Sequence, residues 1–164
     1  MNHQPQFPVR KRIRLALPTY RQGHIFFITI ATYEKHPWFG IHTGLADEAV
    51  MLLGAASSER ETALFAWSVM ADHIHLLLQD DNIIDFVRLY KGRMTPKASI
   101  HEKARKLWQR SFYDHAVRRE ESLSDIAAYI WENPVRAGIV INPPDYPWSG
   151  SEVWPDWQDH YGKK

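Results

Sequence analysis

Two histidines one residue apart, His73 and His75, and a tyrosine and an amide four residues apart, Tyr129 and Asn133, are the side chains of this sequence whose types and spacing suit chemistry. In DHIHLLLQ the two-residue period of a strand sends His73, His75 and Leu77 to one face and Ile74, Leu76 and Leu78 to the other, so that two imidazoles stand together and can chelate one cation. The same pattern also suits two strand histidines that simply bond to their neighbours. Tyr129 and Asn133 share a helix face one turn apart, which sets a phenol beside an amide oxygen. Equally, Tyr129 fits a core aromatic and Asn133 a helix terminus ahead of Pro134. With no cysteine in the chain, thiolate zinc sites, disulfides and cysteine nucleophiles are excluded, and a metal must rely on His, Asn, Gln, Asp or Glu.

A net charge of +1 conceals a strong segregation along the chain. From Arg88 to Arg119 ten basic residues meet two acidic ones, a local charge of +8. Arg88, Lys91, Arg93, Arg105, Lys106, Arg110, Arg118 and Arg119 lie in this stretch, and Arg12 and Arg14 belong to a smaller basic cluster near the start. Such segregation is what a phosphate-backbone footprint requires, whereas a solvated helix face usually mixes signs. Trp108, Phe112 and Tyr113 interleave with these arginines, a mixture suited to stacking unpaired bases. Trp108 and Phe112 also suit a core, and His115 reads as an ordinary surface residue. The 164 residues suffice for one core, so one domain is expected over 1–164, with a basic arm at 1–22 and a Pro/Trp-rich tail at 143–164. No leader and no apolar run of about 20 residues is evident, so a soluble, cytoplasmic protein without a membrane partner is expected.

The elements that must position these residues follow from periodicity. His24–Tyr33 is β-branched and aromatic and reads as a central strand. Leu45–Thr62 carries apolar residues at helical spacing, with Asp47 and Glu48 expected in its first turn. Ala63–Met70 and His73–Gln79 form a hairpin about Ala71-Asp72. Ile83 to about Leu107 is a basic helical region expected to break near Pro96, and Arg110–Val117 is extended. A last helix over Ser122–Asn133 opens on a capping serine and stops before Pro134, and the tail beyond is expected to be irregular. The order β-α-β-β-α-β-α predicts an α+β fold in which helices cover an antiparallel, ferredoxin-like sheet.

Read in order, LPTYRQGHIFFITIATY, HIHLLL, LWQRSFYDHAVR, YIWENPVRAGIV and YPWSG span most of the chain. In this combination the sequence resembles the REP-associated tyrosine transposases of the IS200/IS605-like, single-tyrosine HUH group. That resemblance implies paired metal ligands at His73 and His75, a nucleophile at Tyr129 and a third ligand at Asn133, with Mg²⁺ or Mn²⁺ as the working cation. Related transposases carry a glutamine four residues after the tyrosine. Asn133 departs from that pattern while keeping an amide oxygen, and Glu132 is the neighbouring alternative. The implied reaction is cleavage and rejoining of single-stranded or hairpin DNA through a 5′-phosphotyrosine, by a monomer or a homodimer. A zinc hydrolase using a third histidine, His101 or His115, and a non-catalytic or domesticated nucleic-acid-binding protein are the competing readings.

Overall fold

The structure is a computed structural model and describes residues 24–162. The basic arm, and with it Arg12 and Arg14, lies outside the described residues. Five strands form one antiparallel sheet in the order β4-β1-β3-β2-β5: β1 (Ile25–Ala31), β2 (Ala63–Val69), β3 (His73–Gln79), β4 (Tyr113–Ala116) and β5 (Ser149–Gly150). The first four keep the ferredoxin-like order expected from the sequence. β1 is central, as its apolar composition predicts, pairing with β3 from Ile25↔Gln79 to Ala31↔His73 and with β4 on its other side.

Each face of the sheet buries its own core. On one side Ile28, Ile30, Ile74, Leu76 and Leu78 pack beneath α2 (Thr43–Arg60) and α3 (Ile83–Ser99), with Leu45, Leu53, Phe86 and Tyr90 filling the layer. On the other side Phe27, Phe65, Ala66 and Leu77 meet α4 (Leu123–Trp131), whose Ile126, Ile130 and Trp131 close the second core. The strand alternation predicted for DHIHLLLQ is therefore present, and it sends both histidines to the α4 side.

Four local expectations are corrected. A short helix, α1 (Trp38–Ile41), precedes α2, which begins at Thr43. Asp47 and Glu48 consequently sit beyond its first turn, Asp47 accepting from Trp148 Nε1 at 2.8 Å and Glu48 lying 3.5 Å from Lys97 Nζ. α3 runs through Pro96 to Ser99 instead of breaking there, and residues 100–107 are turn and irregular backbone. Helical backbone also resumes beyond α4 as α5 (Asn133–Arg136), because Pro134 occupies the first turn, where its missing N–H needs no partner. Lastly, the tail is ordered into the fold: β5 extends the sheet edge, Trp157 stacks on Trp131 with ring centroids 4.6 Å apart, and Trp154 is buried beside them. Among the described residues no helix is long and apolar enough to cross a membrane.

Candidate active site

On the α4 face of the sheet one row of polar side chains crosses all five strands. Register pairs Tyr113 with Thr29, Thr29 with His75, His75 with Ser68, and Ser68 with Ser149. Buried polar groups on a core face require partners. Ser149 Oγ donates to Ser68 Oγ at 2.9 Å, and Thr29 Oγ1 lies 2.9 Å from His75 Nδ1.

His73 and His75 stand together as their spacing requires, ring centroids 4.6 Å apart. His73 Nδ1 is 2.6 Å from Asp72 Oδ1, so a carboxylate accepts its N–H and Nε2 keeps its lone pair. When His75 donates Nδ1–H to Thr29, its Nε2 is likewise left for a metal. His75 is 8% exposed, and burial, reinforced by the charges of His73 and Arg136, pushes its imidazole down to about 3, so it is a neutral donor at physiological pH. Both rings are thus oriented through one nitrogen and open at the other.

α4 brings Tyr129 over this pair. Ser122 caps the helix by accepting from Asp125 N–H at 3.3 Å, while Leu123, Ile126, Ala127 and Ile130 bury the adjoining face, against which Tyr129 also packs. The Tyr129 ring lies 6.2 Å from that of His75, and Phe27 bridges them, stacked on His75 at 5.3 Å and edge-on to Tyr129 at 6.1 Å. Asn133 follows at the start of α5, and its half-buried amide has Nδ2 enclosed without a hydrogen-bond partner. Oxygen and nitrogen of such an amide exchange by a half-turn, so a ligating oxygen can take that orphaned place. Glu132 instead lies 3.6 Å from Arg136 Nη1 in an ion pair. Imidazole nitrogen and amide oxygen are both donor types that suit a divalent cation.

Neither of the other histidines proposed from the sequence joins His73 and His75. Among the described residues no three of His, Cys, Asp and Glu gather as a metal-holding group. His101 stacks on His42 at 4.6 Å, and His115 Nε2 pairs with Glu121 Oε1 at 2.9 Å. This arrangement removes the third ligand on which the zinc-hydrolase reading depended.

The basic stretch is less uniform in space than along the chain. Arg88 and Arg105 have local partners in Asp85 at 3.4 Å and Glu102 at 2.8 Å, while folding brings Glu59 to Arg93 and Glu48 to Lys97, so acids from α2 offset part of the charge. Lys91 Nζ donates to the carbonyls of Gln109 and Ser111 at 2.8 and 3.1 Å, tying down the lead into β4. Lys106 lies 4.9 Å above the Tyr33 ring, and Arg110, Arg118 and Arg119 are exposed. Trp108 is corrected most clearly. It is 6% exposed, belongs to the first core and donates Nε1–H to Lys91 O at 3.2 Å, so its faces are not offered to a base. Tyr113 is the exposed aromatic, 40% accessible, on the histidine face and edge-on to Phe27 at 6.3 Å. Phe27, Thr29, Asp72 and Arg136 were not singled out from the sequence, although Thr29 is the polar interruption of IFFITIA and Asp72 immediately precedes His73.

Known proteins resemble this chain over most of its length. The family described as "Transposase IS200 like" matches residues 21–133, from β1 to Asn133. A Haemophilus influenzae protein assigned to the REP-associated tyrosine transposases is 34% identical over 162 residues, covering 84% of this chain and 89% of its own. The Escherichia coli REP-associated tyrosine transposase is 28% identical over 95 residues, 56% of this chain and 55% of that one. In three dimensions the chain is similar to a REP-associated tyrosine transposase solved bound to a REP hairpin, with a TM-score of 0.62, 22% identity and coverage of 84% and 82% of the two chains. A sheet that sets paired histidines beneath a helix-borne tyrosine, together with matches over most of the chain, places it in the IS200-like transposase family, among the REP-associated tyrosine transposases.

Proposed function

We propose that this enzyme is a divalent-metal-dependent endonuclease and strand transferase acting on single-stranded DNA beside a hairpin, with Tyr129 as nucleophile. The single observation that carries the reading is the meeting of Tyr129 and His75, from α4 and β3, at 6.2 Å across Phe27. Nothing in local sequence spacing joins that strand to that helix.

His73, His75 and Asn133 would hold the cation, Mg²⁺ or Mn²⁺ in function. When bound, it neutralises charge on the non-bridging phosphate oxygens. The protein's residues supply the remainder. Asp72 and Thr29 hold the two imidazoles in orientation, and Phe27 fixes their distance from the phenol. The Tyr129 oxygen attacks phosphorus, the P–O3′ bond breaks, and the phenol proton ends on the departing 3′ oxygen, giving a 5′-phosphotyrosine and a 3′-hydroxyl. A 3′-hydroxyl attacking that phosphotyrosine runs the step backwards, so cutting and joining need no nucleotide cofactor. The meeting of Tyr129 and His75 within one chain supports a site in cis.

Substrate contacts are assigned to Arg105, Lys106, Arg110, Arg118 and Arg119 for the backbone and to Tyr113 for an unpaired base beside the site. The names of the relatives, REP-associated, and the REP hairpin bound by the similar solved structure support a REP-like hairpin as the substrate. The test is to incubate hairpin oligonucleotides carrying single-stranded flanks with Mn²⁺ and to resolve a covalent protein–DNA adduct under denaturing conditions. The adduct should be lost in Tyr129→Phe and with chelator. A wild type that binds hairpins and cuts none of them, under any metal, would leave the binding-module reading standing instead.

A further inference from the structure

Arg136 has been given no role in the reaction so far, yet it is held against the tyrosine it follows. Its guanidinium carbon lies 4.2 Å over the Tyr129 ring centroid, and Nη2 donates to the Tyr129 carbonyl at 2.5 Å. Nη1 lies 3.6 Å from Glu132 Oε2. The local chain explains the placement. Helical backbone resumes through Pro134, with Arg136 N–H bonded to Glu132 O at 3.0 Å, so the step of seven positions from Tyr129 to Arg136 makes about two turns and returns to one face. A helix end leaves its last carbonyls without in-helix donors, and the guanidinium fills one of them.

These contacts use only part of the residue. A guanidinium has five N–H donors in a planar fork, and Arg136 is exposed, so the stacked fork retains donors toward solvent beside the ring edge. A phosphate joined to the phenol oxygen would lie next to the ring that this guanidinium covers. On the basis of the tyrosine nuclease reading above, we propose that Arg136 is a positioning residue, which fixes the plane of the Tyr129 ring and clamps the phosphate that the tyrosine attacks. Cation–π stacking sets the ring plane, and bidentate donation suits phosphate oxygens. The cationic clamp stands on the tyrosine side of the phosphate, and the histidine pair stands on the other. The same fork favours the return step, because it grips the phosphotyrosine while a 3′-hydroxyl approaches.

The experiment is single-turnover adduct formation on a flanked hairpin with Mn²⁺, run alongside hairpin affinity and thermal unfolding. Arg136→Ala should slow adduct formation on the order of 100-fold, the scale of losing one preorganised donor to a transition-state anion, with affinity changed less than about 3-fold and Tm unchanged. Arg136→Lys retains charge without the planar fork and should recover no more than about 10-fold of the loss. Added ethylguanidinium should accelerate Arg136→Ala while leaving the wild type unaffected, a response that a merely structural role does not produce. Equal rates for wild type and Arg136→Ala overturn this inference alone. Loss of rate accompanied by loss of Tm, and without guanidinium rescue, also overturns it. A wild type that forms no adduct sinks the nuclease reading and this inference together.

Discussion

Thr29 Oγ1 and His75 Nδ1 meet at 2.9 Å across the β1–β3 ladder, in a row of the sheet otherwise packed against α4. When this hydroxyl accepts Nδ1–H, Nε2 is the nitrogen left open to a metal. Thr29→Val retains the shape and removes the partner. Metal affinity should fall about 10–100-fold, the usual cost of losing a partner that orients a ligand. Asp72→Asn, acting on His73, should fall in the same range. Mn²⁺ titration followed by electron paramagnetic resonance reads both directly, and unchanged affinity in the two variants would show that neither hydrogen bond orients a ligand.

Trp108 and Tyr113 should separate stability from DNA binding. Trp108 is packed in the first core, so Trp108→Ala should cost about 3–5 kcal/mol in unfolding free energy. Tyr113 is 40% exposed beside the site, and Tyr113→Ala should instead weaken binding to a flanked hairpin by about 1–3 kcal/mol, with little change in stability. The Tyr113 loss should vanish on a hairpin without single-stranded flanks. Fluorescence anisotropy on both substrates, with a thermal melt of each variant, decides the matter, and a Tyr113 variant that binds like the wild type would reject the stacking role.

The contrast between those two aromatics shows how far the sequence could be read. Strand alternation placed His73 and His75 on one face, and helical spacing placed Asn133 one turn beyond Tyr129, because both follow from local geometry. The resemblance predicted that strand and helix meet; periodicity alone did not. What stayed hidden depends on distant residues. Trp108 is a core residue because the turn after α3 folds it back onto Lys91, and Arg93 loses its apparent availability because α2 brings Glu59 to it. The tail was read as irregular from its prolines. Its aromatic content was the better signal, since Tyr146, Trp154 and Trp157 are too apolar to be left in water and are all buried. α5 was missed because a proline after Asn133 reads as a stop, although it serves equally well as the first turn of another helix.

Asp80 should control acid stability. Its carboxylate accepts from Arg60 Nη2 and Nε at 2.6 and 3.0 Å, from Thr62 Oγ1 at 2.5 Å and from Asn82 N–H at 2.8 Å. Burial alone would raise its pKa, but the Arg60 bond, the Thr62 hydroxyl and the Asn82 amide together hold it below the ordinary value of 3.8. A carboxyl depressed by folding contributes stability that is fully present above the unfolded value and lost as pH falls through the folded one. The wild type should therefore lose stability on acidification below about pH 4 more steeply than Asp80→Asn, while near neutral pH Asp80→Asn is the weaker protein by about 2–3 kcal/mol. That figure is set below the range for a fully buried pair because the Arg60 side chain retains 23% exposure. Urea unfolding at a series of pH values gives both slopes, and parallel curves would remove Asp80 as the source.

Gly150 should tolerate no side chain while Trp67 is intact. A Cβ built at Gly150 would lie 2.3 Å from Trp67 Cζ2, closer than real contacts allow, and the Gly150 carbonyl accepts from Trp131 Nε1 at 2.9 Å. The backbone of β5 therefore lies flat against one indole and is pinned by another, the kind of close approach that glycine permits. Gly150→Ala must either displace Trp67 or lift β5 from β2, and overpacking of this kind costs about 1–3 kcal/mol. Trp67→Leu removes the atoms that clash, so Gly150→Ala introduced into that background should be nearly neutral, an interaction a double-mutant cycle measures as non-additivity of the same size. Equal losses from Gly150→Ala in the two backgrounds, measured by chemical denaturation, would show that the indole contact is not what demands glycine.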